Sequence, residues 1–186
     1  MTVAAPSLRR RLLAALGYQE SRWNPRAVSP RGAGGLMQLT ATTARGLGVG
    51  DRFDARYSID GGARYLALLR AGLGHSVSEP DRTWLTLAAY NQGPGGLARA
   101  RRAVAAQGGN PNRWAEVRRA LPTVQRGARG WEPVYHVESV RRYFALLSAG
   151  GALDARTRFG LSRRVDPAAS VGGDAGSAPG RTRRSS

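Results

Sequence analysis

The sequence predicts an all-α domain, and three observations predict it. Apolar residues recur at helical spacing in one segment after another, glycine-rich turns separate those segments, and no long run alternates apolar with polar residues as a half-buried strand would. The first segment carries Leu12, Leu13 and Leu16 within Leu8–Leu16. It ends near Asn24-Pro25, because a residue before proline is driven out of the α region. Further helices are expected over Thr40–Leu47, Ser58–Leu73, Asp81–Tyr90, Leu97–Gln107, Asn112–Leu121 and Pro133–Ala149. In the second of these, Tyr65, Leu66, Leu68, Leu69 and Leu73 form the apolar face, Arg64 and Arg70 point outward, and Ser58 is the expected N-cap. In the last, Val137, Val140, Phe144 and Leu147 share a face and leave Arg141 and Arg142 to solvent.

At 186 residues with a hydrophobic fraction of 41%, the chain is sized for one ordinary domain with its own core, here residues 1–150. From Gly151 onward Trp and Tyr vanish and Gly, Ala, Ser and Arg dominate, so residues 151–186 are expected to be a disordered basic tail. No run approaches the roughly 18 apolar residues of a membrane-spanning helix, and Met1–Arg11 shows no export-signal pattern. There is no cysteine and only two histidines, so no metal and no cofactor are expected. The net charge of +17 is carried by arginine alone, since no lysine occurs. Such complete replacement marks compositional drift more than selected phosphate contact, although it favours anionic partners either way. No helix-turn-helix, zinc-finger or aromatic RNA-binding signature accompanies the charge, so no nucleic-acid partner is expected.

Glu20 is the residue best placed for chemistry. It lies near a helix end among aromatic and amide side chains, in Tyr18-Gln19-Glu20-Ser21-Arg22-Trp23-Asn24-Pro25. A carboxyl beside apolar rings loses solvation of its ionised form and can hold a proton for acid catalysis. The plain alternative is a solvated helix-end glutamate. Next comes Gly32-Ala33-Gly34-Gly35-Leu36-Met37-Gln38-Leu39-Thr40, a glycine turn that delivers Met37 and Gln38 just before a helix. Gln38 can donate to and accept from the amide and hydroxyls of an N-acetylated sugar, and Met37 offers a pliable apolar contact. The same residues also read as a turn with a core Met and a surface Gln. The turn lacks the Gly-Lys-Ser/Thr ending of a phosphate-binding loop, which excludes nucleotide binding by that route.

Two further segments fit a sugar site. In Leu87-Ala88-Ala89-Tyr90-Asn91-Gln92-Gly93 an apolar helix runs into a ring that can stack on a pyranose and an amide that can bond its hydroxyls, or equally into an ordinary glycine-closed helix end. In Trp131-Glu132-Pro133-Val134-Tyr135-His136-Val137, Pro133 starts a helix that carries Tyr135 and His136. A lone histidine beside an aromatic is more often packing than catalysis.

Taken in order, Glu-Ser, Gly-Leu-Met-Gln, Ala-Tyr-Asn and a Glu-x-x-x-x-Val segment resemble the catalytic domain of the soluble-lytic-transglycosylase (SLT) family. Residues 17–21, 23–25, 27–30 and 61–66 resemble the pattern of its membrane-bound lytic murein transglycosylase F branch, and the likeness covers about residues 10–148. The resemblance implies a lysozyme-like helical fold and cleavage of the β-1,4 bond between N-acetylmuramic acid and N-acetylglucosamine in peptidoglycan, with 1,6-anhydro ends. It implies Glu20 as the single acid and base, with Ser21, Met37, Gln38, Tyr90, Asn91 and His136 around the sugar. It also implies a place in the cell envelope or periplasm, acting on glycan strands, and a monomer is expected. The alternatives are a peptidoglycan-binding or inactive remnant domain, and a hydrolysing lysozyme. One departure stands out. The family's fourth motif has a tyrosine before the valine, where this chain has His136, with Tyr135 one residue earlier. Either His136 takes the tyrosine's place or Tyr135 turns inward.

Overall fold

The structure, a computed structural model, describes residues 6–124 and 128–158. Seven α-helices follow one another among them: α1 (Pro6–Ser21), α2 (Ala41–Gly46), α3 (Ala55–Ala71), α4 (Asp81–Gln92), α5 (Pro94–Ala106), α6 (Trp114–Val124) and α7 (Glu132–Arg158). A 3₁₀ turn at Ala128–Trp131 leads into α7, and the only extended pairing among the described residues is two isolated bridges, Val28 with Gly34 and Gly34 with Leu39.

α4 is the central element, packed against α3, α5 and α6. A helix touched on several sides must be apolar around its circumference, and α4 accordingly buries Leu85, Thr86, Leu87, Ala88, Ala89 and Tyr90 in succession. Its one polar member, Thr86, returns its hydroxyl to the Arg82 carbonyl at 2.7 Å and so buries no unsatisfied donor. α7 lays Val134, Val137 and Val140 into the core and slides the Arg141 guanidinium over the Trp84 ring of α4 at 4.7 Å. Arg141 is therefore half-buried, where the sequence pattern predicts exposure.

Two helix boundaries and one helix face differ from the sequence reading for physical reasons. α3 starts earlier than Ser58: Asp54 is its N-cap, accepting from the Arg56 and Tyr57 backbone N–H groups. Ser58 is fully buried inside the helix and accepts from Met37 N at 3.1 Å instead. Leu68, expected on the apolar face, is 60% exposed because the face turns through Gly61, Gly62, Tyr65 and Leu69. α7 continues past its expected end at Ala149 to Arg158, while the chain divides into two compact units after Gly151. Of the tail expected over residues 151–186, residues 159–186 lie outside the described residues. No described helix is long and apolar enough to cross a membrane.

Candidate active site

Glu20 occupies the last turn of α1, which ends as the chain swings into the left-handed region at Arg22 (φ 55°) and Trp23 (φ 60°). Its side chain is 14% exposed, and its Oε1 lies 2.7 Å from Nε2 of His136, itself only 5% exposed. The contact joins residues 116 positions apart in sequence. Tyr135 is 66% exposed. The phase of α7 thus turns the histidine inward and the tyrosine out, and His136 stands at the carboxyl.

The loop between α1 and α2 folds back on itself. Gly34 and Leu39 exchange both backbone hydrogen bonds at 3.0 Å, and Gly35 N donates to the Ala27 carbonyl at 3.0 Å. Gly35 (φ +80°) lies so close to the Arg52 carbonyl that a Cβ would collide with it. The turn then presents Met37 and Gln38. Met37 is 1% exposed and packs on Gly62 of α3, where an added Cβ would meet its Cε at 2.7 Å. Gln38, at φ 49°, donates its amide Nε2 to the carbonyls of Ala27 (3.1 Å) and Gly35 (3.0 Å). Both of its N–H groups are used by its own loop, which leaves the side-chain carbonyl oxygen as its outward-capable atom.

Hydrogen bonds tie this loop to both neighbouring helices. The Ser21 hydroxyl lies 2.9 Å from the Leu36 carbonyl and 3.1 Å from that of Gly17, binding the end of α1 to the turn. The Tyr90 hydroxyl donates to the Met37 carbonyl at 2.8 Å and binds α4 to the same turn. Burial pushes the Tyr90 hydroxyl well above its ordinary pKa, with the charges of Glu20 and then Tyr65 adding to the effect, so it stays a neutral donor. Burial likewise raises Tyr65, whose ring packs 5.2 Å from that of Tyr90. Asn91 follows at the end of α4, half-buried, its amide bonded to no described residue.

The structure therefore gathers Glu20, Ser21, Met37, Gln38, Tyr90 and His136 into one linked group around the turn. The sequence reading missed two supports. Ser58 anchors the turn, and its signal was a hydroxyl in register with Gly61, Gly62 and Tyr65 on the buried face. Arg22 is the other: its guanidinium lies over the rings of Tyr18 (4.7 Å) and Tyr143 (5.5 Å) and donates to the Tyr143 hydroxyl at 2.9 Å. Every other carboxylate of residues 6–124 and 128–150 has a partner outside this group. Asp51, Asp54, Asp81 and Glu116 accept from backbone N–H groups, and Asp60, Glu79, Glu132 and Glu138 pair with arginines. Among the described residues no cluster of His, Cys, Asp and Glu suits a metal ion.

Residues 2–112 match the family described as the transglycosylase SLT domain. The chain belongs to that family. This SLT domain is 54% identical to membrane-bound lytic murein transglycosylase F of Thiobacillus denitrificans, over 74% of this chain and 31% of that protein. It is 49% identical to the protein of the same name in Ectopseudomonas mendocina (74% and 30%) and 46% identical to that of Marinobacter nauticus (83% and 33%). The SLT domain thus spans about a third of the length of these relatives. Among solved structures it superposes on the 70 kDa soluble lytic transglycosylase of Escherichia coli with a TM-score of 0.53 at 24% identity, covering 81% of this chain and 22% of that one. The lysozyme-like helical fold expected from the sequence is the fold observed.

Proposed function

We propose that this SLT domain is a peptidoglycan lytic transglycosylase that works with Glu20 as its single acid and base. The observation that carries the reading is Glu20 itself: a carboxyl 14% exposed, hydrogen-bonded through one oxygen to a buried histidine, with the other oxygen outside that bond. Names of the relatives, all membrane-bound lytic murein transglycosylases, support murein as the substrate and the cell envelope as the place of action.

A two-carboxylate glycosidase needs its second acid within about 5–10 Å of the first. The engagement of the other acids with backbone N–H groups and arginines favours a mechanism that needs none. In such a mechanism Glu20 protonates the bridging oxygen as the bond to C1 of N-acetylmuramic acid breaks, and the substrate's acetamide stabilises the positive C1. The carboxylate then takes the proton of the C6 hydroxyl as that oxygen closes on C1, giving the 1,6-anhydro end and regenerating the acid. Asn91 and the Gln38 carbonyl are the groups proposed to meet the sugar. Ser21, Met37 and Tyr90, all buried, are the frame that holds the turn against the acid.

Digestion of purified murein followed by mass spectrometry of the released muropeptides tests the reading. Anhydro ends are expected; reducing ends would instead mean a hydrolysing lysozyme, and no release a binding or inactive domain. Glu20→Gln is expected to lower turnover by about 10²–10⁴-fold, the usual contribution of a positioned acid.

A further inference from the structure

His136 presents an unusual polar account. One ring nitrogen, Nε2, is 2.7 Å from Glu20 Oε1, while the other, Nδ1, is buried and meets no hydrogen-bond partner among the described residues. We infer that His136 holds Glu20 as a neutral imidazole protonated on Nε2, donating to Oε1, and that the unpartnered burial of Nδ1 is what selects this tautomer and disfavours the imidazolium. The inference deepens the reading of Glu20 as the catalytic acid and rests on it. His136 is a positioning residue in this account, acting only through the carboxyl.

When the acid holds its proton, the ring and the carboxyl share two protons, which can be placed in three ways. If Nδ1 carried the only ring proton, Nε2 would have to accept from Oε1–H, which commits the acid's proton to the histidine and strands a buried N–H. If the ring carried both, Glu20 would be a carboxylate facing an imidazolium, and no proton would remain to deliver. In water this second state would win, because a free imidazole is the stronger base by roughly a hundredfold. Here it requires a buried N–H at Nδ1 with no acceptor and a cation in a ring only 5% exposed, and both penalties oppose it.

The third state strands only a lone pair, since Nδ1 is then a bare acceptor. Nε2–H donates to Oε1, Oε2 carries the proton, and that proton is the one passed to the bridging oxygen. When Oε2 gives it up, the bond from Nε2–H becomes charge-assisted and strengthens, so the histidine stabilises the carboxylate at the moment it forms. The ring keeps its own proton throughout. A tyrosine hydroxyl, neutral and able to donate, would do the same work.

The test is ¹⁵N NMR of the histidine ring nitrogens across the pH range of activity, with His75→Gln used to assign the two histidines. The expected result is Nε2 protonated and Nδ1 bare; an imidazolium, or a proton on Nδ1, overturns the inference. This readout stands apart from turnover, so a protein that releases no anhydro ends removes the proposed activity without deciding the tautomer. Kinetics supply the second arm. His136→Phe is expected to lower kcat by about ten- to hundredfold with little change in KM, the scale of a lost hydrogen bond to a charged group. His136→Tyr and His136→Gln, which keep a neutral donor, are expected to restore most of that loss. Equal losses in all three folded variants, as judged by their thermal midpoints, would overturn it.

Discussion

Gly35 shows how strongly single residues constrain this site. Its φ of +80° excludes most side chains, and a Cβ there would run into the Arg52 carbonyl. Gly35→Ala is expected to destabilise the fold by about 4 kcal/mol or more, because strain and overlap with rigid backbone act together; a thermal melt reads the loss. That a glycine-rich turn precedes Met37 was legible in the sequence, whereas the need for glycine at this one position was not, since the colliding carbonyl arrives from residue 52. Met37 and Gln38 divide the same way. Their place at the site is what the family resemblance implies, and the direction of Met37 depends on Gly17 and Gly62, whose missing side chains open its socket. His136 was legible only as one of two alternatives, the other being an inward Tyr135. The histidine lies four residues before Val140 and seven before Tyr143, on the buried side of α7, while Tyr135 falls outside that stripe.

Among the elements, α3 and α7 carry the instructive differences. Ser58 resembled an N-cap because it opens the apolar periodicity, yet helix starts are fixed by which side chain reaches the free N–H groups, and Asp54 does so from one turn earlier. Asp54→Ala is expected to cost about 1 kcal/mol, measured by chemical denaturation, and Ser58→Ala to act on the Met37 turn rather than on the helix end. α7 passes its expected end because each glycine in a helix costs only about 1 kcal/mol relative to alanine, less than the good helix formers around Gly150-Gly151 can offset together. The helix makes two rungs to the end of α1, His136 to Glu20 and Tyr143 to Arg22. Seven residues separate them, two turns or about 10 Å. The second rung ties the positive-φ residue that follows α1 to the same helix.

At the scale of the molecule, the fold shifts the pKa of three groups, Tyr65, Tyr90 and Glu79, and the last two show how pH enters. Tyr90 has its pKa raised well above 10.0 by burial, so the stability it contributes is complete below that value and is lost as pH rises further, toward its folded-state pKa. An alkaline loss of thermal midpoint above about pH 10 is expected, smaller in Tyr90→Phe than in the parent. Glu79 runs oppositely: burial raises its carboxyl, but hydrogen bonds from Thr83 and Arg70 and the Arg70 charge together outweigh burial and leave it below 4.5. Its contribution is present above that value and fades as pH falls through the lowered one, and its exposure keeps the effect small. The all-α fold was legible because periodicity is local, while the contacts that make the site join distant segments. That separation also sets an order in time. A ribosome completes Glu20 and the turn at Met37 early, but the ring that readies the acid emerges 116 residues after it. The nascent chain therefore carries Glu20 without its partner, and the pair can form only once the last helix has been made and docks.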